Sequence, residues 1–479
     1  MLSNKYKKLP IQAKASLWFL ICAFLQKGIS VITTPIFTRL LSTIEYGQYN
    51  VFNSWLGIIS IFVTLNLSYG IYTQGLIKFE EDRKAFSSSM QGLTCILVIG
   101  WMIIYLLFHS FWNKLFSLST IQMLAMLVMI WTTAVFGFWS DEQRVLYKYK
   151  MLVIITLLVS FAKPVVGIIL VSLFNDKVTA RIIGLVLVEL IGYSSFFFIQ
   201  IKNGKKIYSA KYWRYAIAFN LPLIPHYLSQ TVLNNADRIM INSIIGARES
   251  GIYSLAYSVS LIMTLFNTSL MSTISPWIYQ KIKDKRTDQI APVAYCTLIL
   301  IAGVNLALIA FAPEVVRIFA PKSYYQAIYV IPPVAMSVYF MYAYDLFAKY
   351  AFYFEKTKFL MTASVLGALL NIVLNYFFIK RFGYIAAGYT TLICYIIYSI
   401  CHYIFMNKVC DDCYDKVRPY SFNAILKITV PFIIGGFILL ATYNYMVIRY
   451  IIIIICVFVV FIKRTLIYSS INKILDVRR

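Results

Sequence analysis

Glu45-Tyr46-Gly47-Gln48-Tyr49 returns further along the chain as Glu249-Ser250-Gly251-Ile252-Tyr253. The two glycines are 251 − 47 = 204 residues apart. The same offset carries Gln26 onto Gln230, Ser54 onto Ser258, Asp141 onto Asp345 and Gly184 onto Gly388. Each identity is weak alone, but agreement at one offset along six apolar segments is hard to reach by chance. Those segments are windows of about 20 apolar residues, the length of helix that crosses a bilayer. Fourteen are readable, at 14–38, 47–71, 87–109, 120–141, 149–172, 182–201, 214–243, 252–278, 289–312, 326–348, 358–379, 384–406, 424–443 and 446–463. The offset lays the first six over the next six without a gap. The predicted fold is an all-α integral membrane protein with two pseudosymmetric six-helix lobes, 1–208 and 209–410. Spans 13 and 14 and a tail occupy 411–479. Each copy begins on the same side of the membrane, so the repeats are parallel and related by an axis along the membrane normal. A cleft between such lobes would hold substrate, and rocking of the lobes would give alternating access.

Composition agrees with a membrane chain. Of 479 residues 60% are hydrophobic and only 13% charged, with mean hydropathy +0.74. Soluble domains carry roughly 25% charged residues, so most of this surface does not face water. Irregular strands are excluded because lipid offers no partner for open backbone groups. The net charge of +25 would suggest nucleic acid in a soluble protein. Here the cations sit in short loops, the pattern that sets membrane orientation, so no nucleic-acid partner is expected. About 31 Lys and Arg fall on the side of both termini and about 10 on the other, with Lys27, Lys163 and Arg238 inside spans. Both termini are therefore expected in the cytoplasm. The first apolar stretch is too long for a cleaved leader and should remain as a span. Eight cysteines are scattered, and only Cys410-Asp411-Asp412-Cys413 has ligand-like spacing. Structural zinc wants four ligands, so these read as two free thiols on a loop, with no metal.

Five stretches, in three parts of the chain, resemble a known family. Thr34-Pro35-Ile36-Phe37-Thr38-Arg39, running into Glu45-Tyr46-Gly47, is similar to the N-terminal signature of polysaccharide export proteins. Leu221-Pro222-Leu223-Ile224-Pro225-His226, Asn234-Asn235-Ala236-Asp237-Arg238 and Gly251-Ile252-Tyr253 resemble O-antigen and capsule flippases of the Wzx type. Arg381-Phe382-Gly383, running to Gly388, is similar to the family's turn between spans 11 and 12. The resemblance covers nearly the whole chain. It implies a fold like that of multidrug exporters and lipid II flippases of the multidrug/oligosaccharidyl-lipid/polysaccharide exporter superfamily. It implies a bacterial cytoplasmic membrane and a lipid-linked oligosaccharide on undecaprenyl pyrophosphate as cargo. That cargo would be flipped to the outer leaflet for O-antigen, capsule or other surface polysaccharide. A polysaccharide polymerase and chain-length machinery would be partners, besides the phospholipid bilayer.

An ionisable side chain near the bilayer centre costs about 3 kcal/mol or more, so each needs a reason. A pyrophosphate-bearing cargo supplies one for cations. Lys27 lies about 20 Å in from Lys14 at 1.5 Å per residue, too deep to snorkel easily, and is the first candidate for cargo binding. Lys163 has similar depth, and Glu189 on the next, antiparallel span lies opposite, so the two read equally as an ion pair or as cargo contacts. Arg238 aligns with Thr34, seven residues after Lys27 and on the same helix face; it and His226 complete the binding candidates. Glu189 and Asp237 are candidates for gating or for coupling to H+ or Na+, with no other cofactor expected. Pro222 and Pro225 should break span 7 locally, and broken helices line transporter cavities, so both read as hinges. Asp345 and Lys349, four residues apart, read as a surface pair. Two other classes compete with this reading. A drug exporter of the same superfamily would carry acids rather than cations in its cavity. A membrane polymerase or acyltransferase would need a positioned base or nucleophile, yet the outer loops are short and no histidine sits beside an acid.

Overall fold

The computed structural model describes residues 10–69 and 71–462. Of the cations counted on the side of both termini, Lys5, Lys7, Lys8, Lys463, Arg464, Lys473, Arg478 and Arg479 lie outside the described residues. Every α-helix follows in chain order. The first half holds α1 (Ile11–Leu40), α2 (Thr43–Thr64), α3 (Ile71–Lys78), α4 (Arg83–Leu107), α5 (His109–Phe116), α6 (Thr120–Val145), α7 (Tyr149–Leu173) and α8 (Lys177–Gly204). Next come α9 (Ala210–Asn220), α10 (Ile224–Ile244), α11 (Ala247–Ser260), α12 (Thr264–Lys283), α13 (Ile290–Ala310) and α14 (Ala312–Phe319). The chain continues through α15 (Ile331–Tyr353), α16 (Thr357–Phe382), α17 (Ile385–Cys413), α18 (Phe422–Ala441) and α19 (Met446–Ile462).

Ten of the described helical segments are long and apolar enough to cross a membrane, eleven if the bent pair Lys322–Tyr329 and Ile331–Tyr353 counts as one span. The more polar α2, the α9–α10 pair and the shorter α19 bring the helical counterparts to all fourteen predicted spans. The repeat is visible in the element boundaries. α1 ends at Leu40 and α10 at Ile244; α2 begins at Thr43 and α11 at Ala247, again 204 residues on. The repeated turn also has a local cause. Ser42 caps α2, its hydroxyl accepting from Glu45 N while the Glu45 carboxylate accepts from Ser42 N at 2.7 Å, a reciprocal capping box. In the second copy Gly246 takes the cap position with φ +154°, a conformation side-chain-bearing residues rarely adopt.

Span 2 ends earlier than predicted. Helix α2 stops at Thr64 because Leu65 and Asn66 turn left-handed. Their carbonyls accept from Asn220 Nδ2, both at 3.0 Å. Cys410 and Cys413 lie on the last turn of α17 rather than on a loop.

The chain divides into two compact units, Met1–Ile239 and Met240–Arg479. In the first, α8 packs on α4, α6 and α7, and α7 packs on α1. Small residues allow these approaches: a Cβ on Gly184 would stand 3.1 Å from the Gly167 Cα, and one on Gly167 3.2 Å from the Phe37 ring. The α1 C-terminus is held by Lys177 Nζ, which donates to Leu40 O at 3.0 Å. Helix α9 and the start of α10 belong to the second copy by sequence, yet Trp213 donates to Ser89 O and Asn220 reaches the end of α2. Contacts and repeat thus partition the chain at different places.

In the second unit α15 is the most enclosed helix, packed on α17, α13 and α18. Tyr339 of α15 and Thr429 of α18 share a hydroxyl bond of 2.8 Å. Arg449 of α19, 2% exposed, bonds to Glu314 of α14, which also accepts from Tyr450 at 3.0 Å. The last two helices are therefore tied to this unit, α18 by a hydroxyl bond and α19 by an ion pair whose arginine is buried.

Gly204 offers a test of the packing. A Cβ there would fall 2.1 Å from the Lys84 carbonyl oxygen, and backbone cannot swing aside as a side-chain tip can. Gly204→Ala is expected to cost about 1–3 kcal/mol, the usual range for overpacking. A lowered melting temperature of purified protein reads it; an unchanged one would refute the contact.

Candidate functional site

The intramembrane charges of the first unit lie at mid-length of their helices. Lys27 is 16 residues into α1, Lys163 14 into α7 and Glu189 12 into α8, or about 24, 21 and 18 Å at 1.5 Å per residue. Lys163 Nζ donates to Glu189 Oε1 at 2.6 Å. The other carboxylate oxygen accepts from Thr132 at 2.8 Å and Thr133 at 3.2 Å, both on α6. Glu189 is thus bonded on both oxygens, as a buried carboxylate must be to stay charged. Its side chain is 4% exposed against 28% for Lys163, whose ammonium also lies 5.8 Å from the Tyr193 ring centre. One turn before Lys163, Ser160 accepts from Gln26 Nε2 of α1 at 2.9 Å. Four helices therefore contribute to one mid-depth polar belt.

Lys27 adjoins that belt but takes no part in its bonds. Gln26 faces α7, and the next residue on a helix points about 100° aside. Lys27 is exposed, and among the described residues no hydrogen bond, ion pair or ring contact holds its ammonium. The second copy has none of these charges. At an offset of 204, Lys27, Lys163 and Glu189 become Thr231, Gly367 and Ile393. The polar belt is a specialisation of the first copy.

Helix α10 is the second polar element. Pro222 and Pro225 bracket a break: α9 ends at Asn220, a 3-10 turn spans Leu221–Leu223, and α10 starts at Ile224. The cause is the missing amide hydrogens of the two prolines. Half-buried His226 follows directly, and its neighbour Tyr227 meets Tyr69 edge-on with ring centres 5.6 Å apart. Further along, Gly57 of α2 lets α10 approach, with Thr231 Cγ2 at 3.4 Å and Asn235 Nδ2 at 3.6 Å from a Cβ placed there. Asp237 is buried. Arg238 turns back on its own helix, donating to Asn235 Oδ1 at 3.0 Å. Twelve residues, about 18 Å along a helix, separate His226 from Arg238, so the predicted residues do not converge on one point. Asp345 and Lys349 form their pair at 2.7 Å, but with side chains 33% and 12% exposed it is half-buried rather than a surface pair. Residue-by-residue reading passed over Thr132, Thr133 and Ser160, because lone hydroxyls in apolar helices look generic. The signal that would have found them is depth, since all three lie level with Lys163 or Glu189.

A family model described as polysaccharide biosynthesis protein matches residues 13–282, more than half of the chain. The chain belongs to the polysaccharide biosynthesis protein family. A second model, MatE, matches residues 222–377. Among curated relatives, the Lsg locus putative protein 1 of Haemophilus influenzae is 26% identical over 211 residues, 41% of this chain and 51% of that protein. An uncharacterised membrane protein of the same organism is 22% identical over 204 residues, 42% of this chain and 50% of that protein. The chain spans about half the length of the curated relatives it matches. Among solved structures, the lipid II flippase MurJ in an inward closed conformation is similar with a TM-score of 0.72 at 16% identity, covering 94% of this chain and 99% of that one. An inward-facing multidrug resistance MATE family transporter of the MOP superfamily is similar with a TM-score of 0.61 at 12% identity, covering 80% and 95%. Family membership and the ten or more long apolar helices together make this a multi-pass membrane protein of the polysaccharide biosynthesis family, with a fold like that of these two structures.

Proposed function

We propose that this protein flips an undecaprenyl-pyrophosphate-linked oligosaccharide from the cytoplasmic to the outer leaflet of a bacterial cytoplasmic membrane. It acts as a transporter and not as an enzyme, supplying repeat units for a surface polysaccharide. The two six-span lobes, 1–208 and 209–410, alternate access around the cargo, and 411–479 adds spans 13 and 14. Both termini lie in the cytoplasm. The single observation that carries this reading is Lys27, an uncompensated ammonium half-way along a 30-residue apolar helix. Such a charge is expensive unless an anion visits it, and a pyrophosphate is the anion that a lipid-linked sugar brings. Membership of the polysaccharide biosynthesis family supports the saccharide part.

Lys163 serves differently in this reading. Its charge is already matched by Glu189, so the pair holds α6, α7 and α8 in register beside the cargo path. His226, Asp237 and Arg238 lie on the broken span, with Pro222 and Pro225 as its hinge. Glu189 and Asp237 are the acids assigned to gating or to H+ or Na+ coupling.

The test is reconstitution. Purified protein in liposomes holding a lipid-linked oligosaccharide should expose the inner-leaflet sugar to an impermeant glycosidase, faster than protein-free liposomes do. Equal rates with and without protein would overturn the proposal.

A further inference from the structure

Loops 78–84 and 202–214 of the first unit are pressed into one surface. A Cβ on Gly92 would fall 2.2 Å from the Ile207 carbonyl oxygen, and one on Gly204 2.1 Å from that of Lys84. Tyr212 donates to Asp82 at 3.1 Å and Trp213 to Ser89 O at 3.0 Å. The two loops hold eight cations, among them Lys84, Lys202, Lys205, Lys206 and Lys211, against three acids, a net of +5. Among the described residues only Arg83 of these eight is ion-paired, to Glu80 at 3.2 Å. Three of the lysines lie over rings instead: Lys78 4.6 Å from Tyr215, Lys211 5.0 Å from Phe79 and Lys206 5.6 Å from Tyr212.

The second unit gives an internal control. Shifted by 204, the same loops are 282–288 and 406–418, with six cations against five acids, a net of +1. Two of those cations are neutralised in place, Lys285 by Asp415 at 3.4 Å and Arg418 by Asp411 at 2.6 Å. The second copy keeps its loops on the same side with a net of +1, so the larger, mostly unpaired charge of the first is free to serve a further use.

Its neighbours say what that use is. Ile207 and Tyr208 are 53% and 63% exposed, set between Lys205 and Lys206 on one side and Lys211 on the other. Exposed apolar and aromatic groups flanked by lysines are the combination found where protein meets the headgroup layer. We propose that this surface binds the headgroups of anionic glycerophospholipids, with Ile207 and Tyr208 seated toward the acyl chains and the lysines on the phosphates. A lysine near an anionic leaflet strengthens attachment about fivefold, and among the described residues none of these lysines is ion-paired. The inference concerns bilayer lipid and holds whatever the cargo.

The test compares two full-length variants. One is Lys202→Gln/Lys205→Gln/Lys206→Gln/Lys211→Gln. The other, in the second unit, is Lys283→Gln/Arg286→Gln/Lys408→Gln/Lys416→Gln. Each protein is taken from nanodiscs of equal phosphatidylglycerol and phosphatidylcholine, and the lipids it retains are counted by native mass spectrometry. The wild type should favour phosphatidylglycerol, the first variant should lose that preference about tenfold or more, and the second should keep most of it. The preference should also collapse at about 1 M salt, where screening falls to about 3 Å. All substituted residues are exposed, and a melting curve for each variant checks its fold. Equal losses in both variants would reduce the surface to ordinary loop charge and overturn the proposal. An unchanged first variant would also overturn it and leave the patch to an acidic protein.

Discussion

Lys27→Glu is expected to abolish surface polysaccharide while leaving the protein in the membrane at normal abundance. The two halves of this prediction have separate grounds. Abundance holds because Lys27 is exposed and no side chain of the described structure depends on it. Transport fails because a carboxylate at the same depth repels a pyrophosphate instead of drawing it in. The neutral Lys27→Gln removes only the attraction. A hydrogen bond to a charged group is worth roughly 1.5–3 kcal/mol, so this variant should slow transport roughly ten- to a hundredfold. Lys27→Arg keeps the charge and should keep most of the activity. Complementation of a deletion strain, with polymer yield and immunoblotted protein measured together, separates the outcomes. Normal polymer from Lys27→Glu would remove Lys27 from the cargo path.

Glu189→Ala should act in the opposite way, on stability first. It strips Lys163 of its counter-charge and removes the carboxylate to which Thr132 and Thr133 donate, although Thr132 keeps the Met129 carbonyl at 3.1 Å. Breaking a buried pair from one side typically costs 3–5 kcal/mol. Because Lys163 keeps 28% of its side chain exposed, the lower end, about 3 kcal/mol, applies. The double variant Lys163→Met/Glu189→Met buries no unpaired charge and should recover most of the loss, since apolar replacement of a buried pair is often neutral. Melting temperatures of the purified proteins decide between a structural and a cargo role. If the double variant melts like wild type and still transports, the pair is a clasp. If it melts like wild type and does not transport, Lys163 or Glu189 meets cargo or coupling ion directly.

The fold was legible because length and apolarity report spans directly, and because one offset recurs at matching helix ends. What escaped was short or long-range. Helices α3, α5 and α14 have eight residues each, and a window of about 20 residues averages them into loops. The end of α2 depends on Asn220, more than 150 positions away along the chain, which no local pattern reports. Within the site, the Lys163–Glu189 pair could be foreseen because depth can be counted along helices. The belt around it could not, since Thr132, Thr133 and Ser160 are ordinary residues until packing sets them level with a carboxylate. Glu314 and Arg449 were missed for another reason. They lie 135 residues apart on separate helices, and an ion pair between distant elements shows only in three dimensions.

That same pair bears on how the chain is made. Arg449 follows Glu314 by 135 residues, so the carboxylate enters the membrane long before its guanidinium leaves the ribosome. Until then the half-finished second unit carries an uncompensated acid at its surface. A chain truncated before α19 is therefore expected to be less stable than the full-length protein, which a pulse-chase comparison of the two reads.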